Sequence, residues 1–137
     1  MPSAGGTPEQ ITRNGGLDPI VSPDGRHLYY AKPAPVQGIW EVPFEGGTEI
    51  KVVERGRSLS FDVADAGIFI MDASAKPQAT VEMFSFASRK RVLVARLPAG
   101  LRILAGSHLN VTRDGRSMLY VRFDQWTSDI EMLPGLR

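Results

Sequence analysis

The sequence is bounded first by what it lacks. It has no cysteine in 137 residues, which excludes disulfides, cysteine-ligated zinc, iron–sulfur clusters and a thiol nucleophile. Its formal net charge is only +1, so it lacks the strongly basic balance that is typical of a dedicated nucleic-acid-binding surface. No cofactor is indicated, and we do not expect nucleic acid as a partner.

Long apolar runs are missing as well. No stretch approaches the roughly 18 consecutive apolar residues that a membrane-spanning helix needs, so no membrane association is expected. The start, Met1–Gly6, has neither a basic n-region nor an apolar h-region, and no signal peptide is predicted. The compartment stays open, with the cytoplasm as the default expectation.

Helix signals are nearly absent. No window carries apolar residues at i, i+3, i+4 and i+7 between convincing caps. The 14 glycines and 10 prolines lie mostly between short apolar runs, a pattern typical of many short strands joined by turns. The sequence therefore predicts an all-β fold.

What the sequence does contain is a repeat. The turn phrase Ser22–Arg26 returns as Thr112–Arg116, each time before an apolar run, and Asp65–Gly67 is a degraded copy of it. The marker Gly5–Thr7 returns as Gly46–Thr48, 41 residues later. A period of about 40 to 50 residues that contains several short strands is typical of propeller blades.

Four strands can be placed in each repeat, the innermost ending at the recurring turn. The first copy covers 17–53, the second 58–97, and the third, 107–134, ends after three strands. Residues 1–12 match the phase of the outer strand of the first copy, so they are predicted to close the last blade and hide its edge. The predicted strands are Asp18–Ser22, His27–Ala31, Ile39–Phe44, Thr48–Val53, Ser58–Val63, Ile68–Asp72, Thr80–Phe86, Arg91–Arg96, His108–Thr112, Ser117–Phe123 and Asp129–Leu133.

The segment Gly5–Thr12, followed by Ser22–Tyr30, resembles the repeats of TolB-like β-propellers. Ile39–Val42 stands where that family carries the motif of its third strand. The resemblance covers nearly the whole chain and is weakest in the second copy, where Ala64–Gly67 replaces Ser-Pro-Asp-Gly. It implies a bacterial propeller with a scaffolding or binding role, and it brings no catalytic residues.

Three blades cannot surround a central channel, whereas members of this family commonly have six. An open half-ring would expose more contiguous apolar area than the few hundred Å² that a soluble monomer tolerates. We therefore expect a two-fold homodimer that completes a six-bladed ring, although a chain that needs a different partner is the main alternative. The side chains expected to pack between blades are Leu28, Tyr30, Ile39, Val42, Phe69, Met71, Phe84, Leu119, Val121 and Met132.

Two groups of residues could suggest chemistry, a hydrolase triad and a metal site, and neither is assigned as a functional site. Ser22, Asp24 and His27 have the residue types of a hydrolase triad, but they belong to a recurring turn and have no nucleophile elbow. An axial metal shared between blades would need about three or four converging ligands, and no metal site is assigned. The residues weighed for it are Asp18, Asp62 and His108.

One end of the ring is predicted to be moderately basic, because loops rich in arginine meet there with the loops that hold Lys32 and Lys76. Guanidinium groups favour carboxylate and phosphate partners, so this channel mouth is a candidate site for a protein segment or an acidic small ligand. The candidate binding residues are Arg13, Arg55, Arg57, Arg102, His108 and Trp126.

Three functions remain open from the sequence. The first is a non-enzymatic module for protein–protein interaction or ligand binding. The second is a sensor or accessory fragment of a larger bacterial regulator or peptidase. The third is an enzyme with its active site in the channel, which would need converging acidic, basic or histidine side chains from several blades.

Overall fold

The computed structural model describes residues 4–55, 59–100 and 107–121. This part of the chain is all-β, with ten strands in three antiparallel sheets and no helix. The strands are β1 (Leu17–Val21), β2 (His27–Lys32), β3 (Gly38–Pro43), β4 (Ile50–Val53), β5 (Phe61–Ala64), β6 (Gly67–Asp72), β7 (Thr80–Ser85), β8 (Arg91–Arg96), β9 (Leu109–Val111) and β10 (Met118–Tyr120).

Each sheet is a simple meander. The first sheet has the order β1-β2-β3-β4, the second has β5-β6-β7-β8, and the third pairs β9 with β10. Every predicted strand from Asp18–Ser22 to Ser117–Phe123 has an observed counterpart within three residues at each end. The prediction of a strand at Asp129–Leu133 lies outside the described residues.

The recurring turn phrase builds the same hydrogen-bond network twice. The Ser22 hydroxyl donates to Asp24 Oδ1 at 2.6 Å and accepts from the backbone N–H of His27 at 2.9 Å. The Arg26 N–H donates to the same carboxylate oxygen at 3.0 Å. Gly25 has a φ of +74°, a conformation that a side chain would strain.

The third sheet repeats this network with Thr112 in the place of serine. Its hydroxyl donates to Asp114 Oδ1 at 2.6 Å and accepts from the Ser117 N–H at 3.0 Å. In the second sheet the turn is shorter, since Ala64 pairs directly with Gly67. The first and third sheets, whose turn sequences agree, therefore have the same turn conformation. The second sheet, whose turn sequence differs, has a tighter hairpin instead.

The three sheets stack face to face. Successive side chains of a strand point to opposite faces, and in β2 Tyr29 and Ala31 pack on the second sheet while Leu28 and Tyr30 point away. The cluster between the first two sheets consists of Tyr29, Ala31, Ile39, Val53, Phe61, Val63, Ile68, Ile70 and Phe84.

The second sheet uses its other face against the third. Phe69 and Met71 pack there with Leu109, and Val111, Met118 and Tyr120 lie against the same cluster. Hydrogen bonds also cross this boundary: the Leu109 N–H donates to the Leu59 carbonyl at 3.0 Å, and the Val111 N–H donates to Asp62 Oδ2 at 2.7 Å. The first strands of the second and third sheets, β5 and β9, therefore lie side by side.

The N-terminal segment, residues 4–16, contains no strand in this chain. Ile11 instead packs against the outer face of the first sheet, which we define as Leu28, Tyr30 and Val42. The strand predicted for 1–12 was expected to pair with a last blade, and the residues of that blade beyond Val121 lie outside the described part. Its pairing stays a prediction.

Among the described residues, no helix is long and apolar enough to cross a membrane.

The two turn networks offer a matched test of burial. Ser22 is buried whereas Thr112 is exposed, so water can replace the lost hydroxyl only at the second site. We expect Ser22→Ala to lower the free energy of unfolding by about 1–2 kcal/mol, because it leaves the His27 N–H without its acceptor. Thr112→Ala should cost clearly less. Urea denaturation of both variants measures the difference, and equal losses would contradict the role of burial.

Candidate functional site

A cleft of about 410 Å³ lies between the N-terminal segment and the outer part of the first sheet. It combines basic, acidic and apolar side chains from segments far apart in the sequence. Its lining residues are Ile11, Arg13, Asn14, Lys32, Val36, Trp40, Gly47 and Glu49.

A buried ion pair forms one wall of the cleft. The Lys32 side chain is only 2% exposed, and its ammonium donates to Glu49 Oε2 at 2.5 Å. The other oxygen of Glu49 accepts the backbone N–H of Arg13 at 3.1 Å. Glu49 therefore joins the turn before β4 to both strand β2 and the N-terminal segment.

The contact with Lys32 changes the pKa of Glu49. The hydrogen bond from Lys32 is the main reason that the pKa of Glu49 is held below its usual range, and the Arg13 N–H acts in the same direction. Desolvation opposes both effects. Burying a lysine ammonium is costly unless it is paired, and in this structure Glu49 is the carboxylate that pairs with Lys32.

The aromatic ring of Trp40 forms a second wall. Trp40 lies directly across from Tyr30 in the β2–β3 pairing and from Lys51 in the β3–β4 pairing. The Lys32 ammonium lies 4.2 Å from the centroid of the Trp40 ring, and that of Lys51 lies 5.6 Å from it, both within the range of cation–π attraction. The indole N–H donates to the Val36 carbonyl at 3.2 Å, which fixes the ring.

Tyr30 lies beneath these residues. Its hydroxyl is buried and has no partner of good hydrogen-bond geometry in the described part of the chain. Burial raises the pKa of this hydroxyl well above its ordinary value, and the neighbouring charge of Glu49 raises it further. The Tyr30 side chain is therefore uncharged at physiological pH.

The residues predicted for the channel mouth are only partly described. Arg13 is exposed and lines the cleft. Arg55 and His108 are also exposed, but they do not line it. Arg57, Arg102 and Trp126 lie outside the described residues. Of the three described members of the predicted set, Arg13 is the one that lines the cleft.

Sequence reasoning did not single out the pairing of Lys32 with Glu49, and it did not include Trp40 among the candidate binding residues. These three residues come together only through the strand register, which places Lys32 opposite Gly38 and Trp40 opposite Lys51. Lys32 was predicted to lie in a loop at the basic end of the ring, but it is the last residue of β2 and its side chain is buried.

The triad residue types do not form a triad. The Ser22 hydroxyl donates to Asp24, and what reaches Ser22 from His27 is the backbone N–H. The His27 ring lies instead 3.4 Å from Glu41 Oε1. These contacts agree with the structural interpretation of the turn.

Potential metal ligands are dispersed in the described part of the chain, where no group of three histidine, aspartate or glutamate side chains could hold an ion. Asp62, one of the residues weighed for an axial metal, uses both oxygens on the backbone N–H groups of Val63 and Val111. Its role is to join the second sheet to the third.

No protein-family model matches the chain, and no curated protein matches it with significant similarity.

The Lys32–Glu49 pair should make stability depend on pH. Because the folded-state pKa of Glu49 is lowered, its contribution is present above the ordinary carboxyl range and is lost as the pH falls through the lowered value. We expect Glu49→Gln to cost about 3 kcal/mol at neutral pH, since it leaves a buried ammonium without a counter-ion. The difference from the wild type should shrink as the pH falls below the ordinary carboxyl range.

Glu54 supplies the control. Its carboxylate also pairs with a lysine, Lys51, at 3.3 Å, but it is 84% exposed, so Glu54→Gln should leave both stability and its pH dependence nearly unchanged. Denaturation curves at several pH values test this, and a constant cost of Glu49→Gln from neutral to acid pH would contradict the assignment.

Proposed function

We propose that this chain is a non-enzymatic binding module of the TolB-like propeller type, which supplies three blades and pairs with a second copy to complete a six-bladed ring. The observation that carries the proposal is the unequal exposure of equivalent positions in the stack. Tyr29 of the first sheet and Phe69 of the second face the next sheet and are 4% and 3% exposed, whereas Leu119 of the third sheet is 76% exposed.

The third sheet therefore exposes an apolar face whose equivalent is buried in the first and second sheets. Met118 and Tyr120 pack back on the second sheet, so the alternation of β10 turns Leu119 and the following Val121 to the other side. Val121 is exposed as well. We define Leu119 and Val121 as the end face of the stack, and a partner that covers it would repeat the sheet-to-sheet packing seen twice in the chain.

The N-terminal segment supports the same arrangement. Counted from the two Gly-Gly-Thr markers, Ile11 is the equivalent of Val52 in β4. Val52 and Val53 pack on the cluster that includes the second sheet, as Ile11 packs on the outer face of the first. This equivalence supports the proposal that residues 4–12 take the place of the outer strand of a preceding blade.

In the proposed ring, the preceding blade belongs to the partner. The end face of one protomer packs on the outer face of the first sheet of the other, beside that sheet's own N-terminal segment, and the two-fold axis repeats the contact. The inner strands, adjacent in the described part at β5 and β9, would then surround a channel. The alternative hypotheses, an accessory fragment of a larger protein or a channel-sited enzyme, gain no specific support from the described residues.

Light scattering coupled to gel filtration tests the ring. We expect a particle of about twice the 15.0 kDa chain mass. Leu119→Asp places a charge in the proposed interface and should raise the dissociation constant by at least about tenfold, giving a folded monomer at micromolar concentration. Circular dichroism should confirm that the β-sheet signal is retained.

Leu93→Asp is the matched control. Leu93 is 50% exposed on the edge strand β8, away from the proposed contact, and the variant should remain dimeric. A monomeric wild-type chain, or a dimer broken by Leu93→Asp but not by Leu119→Asp, would refute the proposal.

A further inference from the structure

The cleft beside Lys32 has a charge that its own residues do not balance. Glu49 neutralises Lys32, with which it shares a hydrogen bond. The guanidinium of Arg13, which is exposed at the same cleft, forms no ion pair within the described residues. The lining residues therefore carry one positive charge in excess.

The buried ammonium also keeps hydrogen-bonding capacity. A lysine ammonium can donate three hydrogen bonds, and within the described part of the chain that of Lys32 has one hydrogen-bond partner, Glu49. Its contact with the face of Trp40 is a cation–π interaction, not a hydrogen bond. The ammonium can therefore donate to an acceptor supplied by a ligand in the cleft, which Lys32 lines.

The remaining walls are apolar. Ile11, Val36 and the ring of Trp40 line the cleft, and its volume of about 410 Å³ lies in the lower part of the range of about 300–1,000 Å³ for small-ligand sites. A compact ligand with a flat or branched apolar body matches these walls. A single excess positive charge matches a monoanion better than a doubly charged phosphate.

A cationic ligand is disfavoured. The face of Trp40 already has two ammonium groups near it, those of Lys32 and Lys51, and these would repel a third cation. Glu49 is 13% exposed and has both oxygens engaged, so it offers little to an incoming positive charge.

We propose that this cleft binds monocarboxylates with an aromatic or apolar body, the carboxylate accepting hydrogen bonds from Lys32 and Arg13 and the body lying against Trp40. The proposal rests on the binding role proposed above and specifies the chemistry of its ligand. All of the residues involved belong to one chain, so binding can be measured on the wild type and also on the Leu119→Asp variant, in which no partner covers the outer face beside the cleft.

The test follows the indole N–H of Trp40 by NMR in the ¹⁵N-labelled chain, with Trp126→Phe used to assign the two indole signals. The probes are 3-phenylpropionate, 3-phenylpropan-1-ol and 3-phenylpropylamine, which share one body and differ in the head group. We expect a saturable shift with the acid, and affinity at least about tenfold lower for the alcohol and the amine, since a charge-assisted contact is lost.

Two arginine variants test whether the guanidinium of Arg13 contacts the carboxylate of the ligand. Arg13→Gln should weaken the acid about threefold to tenfold and leave the alcohol unchanged. Arg26→Gln, which removes an exposed arginine from the turn before β2, should change neither. Because both arginines are exposed, both variants are expected to fold. Each removes one positive charge, so a difference between them reports the position of Arg13 at the cleft and not the net charge of the chain.

Two further probes distinguish the sources of such a carboxylate. N-acetyl-Gly-Phe with a free carboxylate and its C-terminal amide compare a peptide end with a free small acid. Binding of the peptide acid but not the amide assigns the site to a chain terminus, whereas binding of phenylpropionate alone assigns it to a small metabolite-like acid. Either result supports the carboxylate site.

The proposal is overturned by equal affinities for acid and alcohol, by preference for the amine, by the absence of a saturable shift, or by equal effects of Arg13→Gln and Arg26→Gln. Light scattering on the same samples separates this outcome from that of the ring. A monomer that binds the acid refutes the ring alone, and a dimer that does not bind it refutes the site alone.

Discussion

Each four-stranded sheet of this chain is apolar on both faces, and a sheet cannot shield its own faces from water. A sheet therefore needs two neighbours, and the middle sheet has both: Ile68 and Ile70 are buried against the first sheet, and Phe69 and Met71 against the third. The first and third sheets each have one sheet as a neighbour in the described part of the chain. The stacking of the sheets and the position of the N-terminal segment follow from this requirement, and the exposed Leu119 marks a face on which it is not met within the described residues.

Much of the secondary structure could be predicted from the sequence because its signals are local. Alternating apolar residues and Gly-, Pro- and Asp-rich turns depend only on near neighbours in the chain. The network of Ser22, Asp24 and His27 is an example, since every group in it lies within five residues of the others. For the same reason, the local sequence alone favours a structural turn over a catalytic triad.

The composition of the cleft was not predictable in this way. Lys32 and Glu49 are 17 residues apart, and their contact depends on the strand register, on the turn at Gly47 and on the path of residues 4–16. The register of β3 against β4 even shifts between Ile39 and Trp40, which no periodicity in the sequence indicates. Arg13 was predicted for a binding site from its charge, but its neighbours there follow from tertiary packing. The loops that carry Arg57, Arg102 and Trp126 lie outside the described residues, so their part of the predicted mouth stays a prediction.

The meander order of the sheets has a consequence for how the protein folds. Within the described part, strands of one sheet pair only with strands adjacent in the sequence, so each sheet can form from local hairpins with little loss of chain entropy. Units of this kind behave as a short one-dimensional array in which stability is passed between nearest neighbours. Amide protons of β6, in the middle of the central sheet, should then exchange most slowly, and the array should open from its two ends inward.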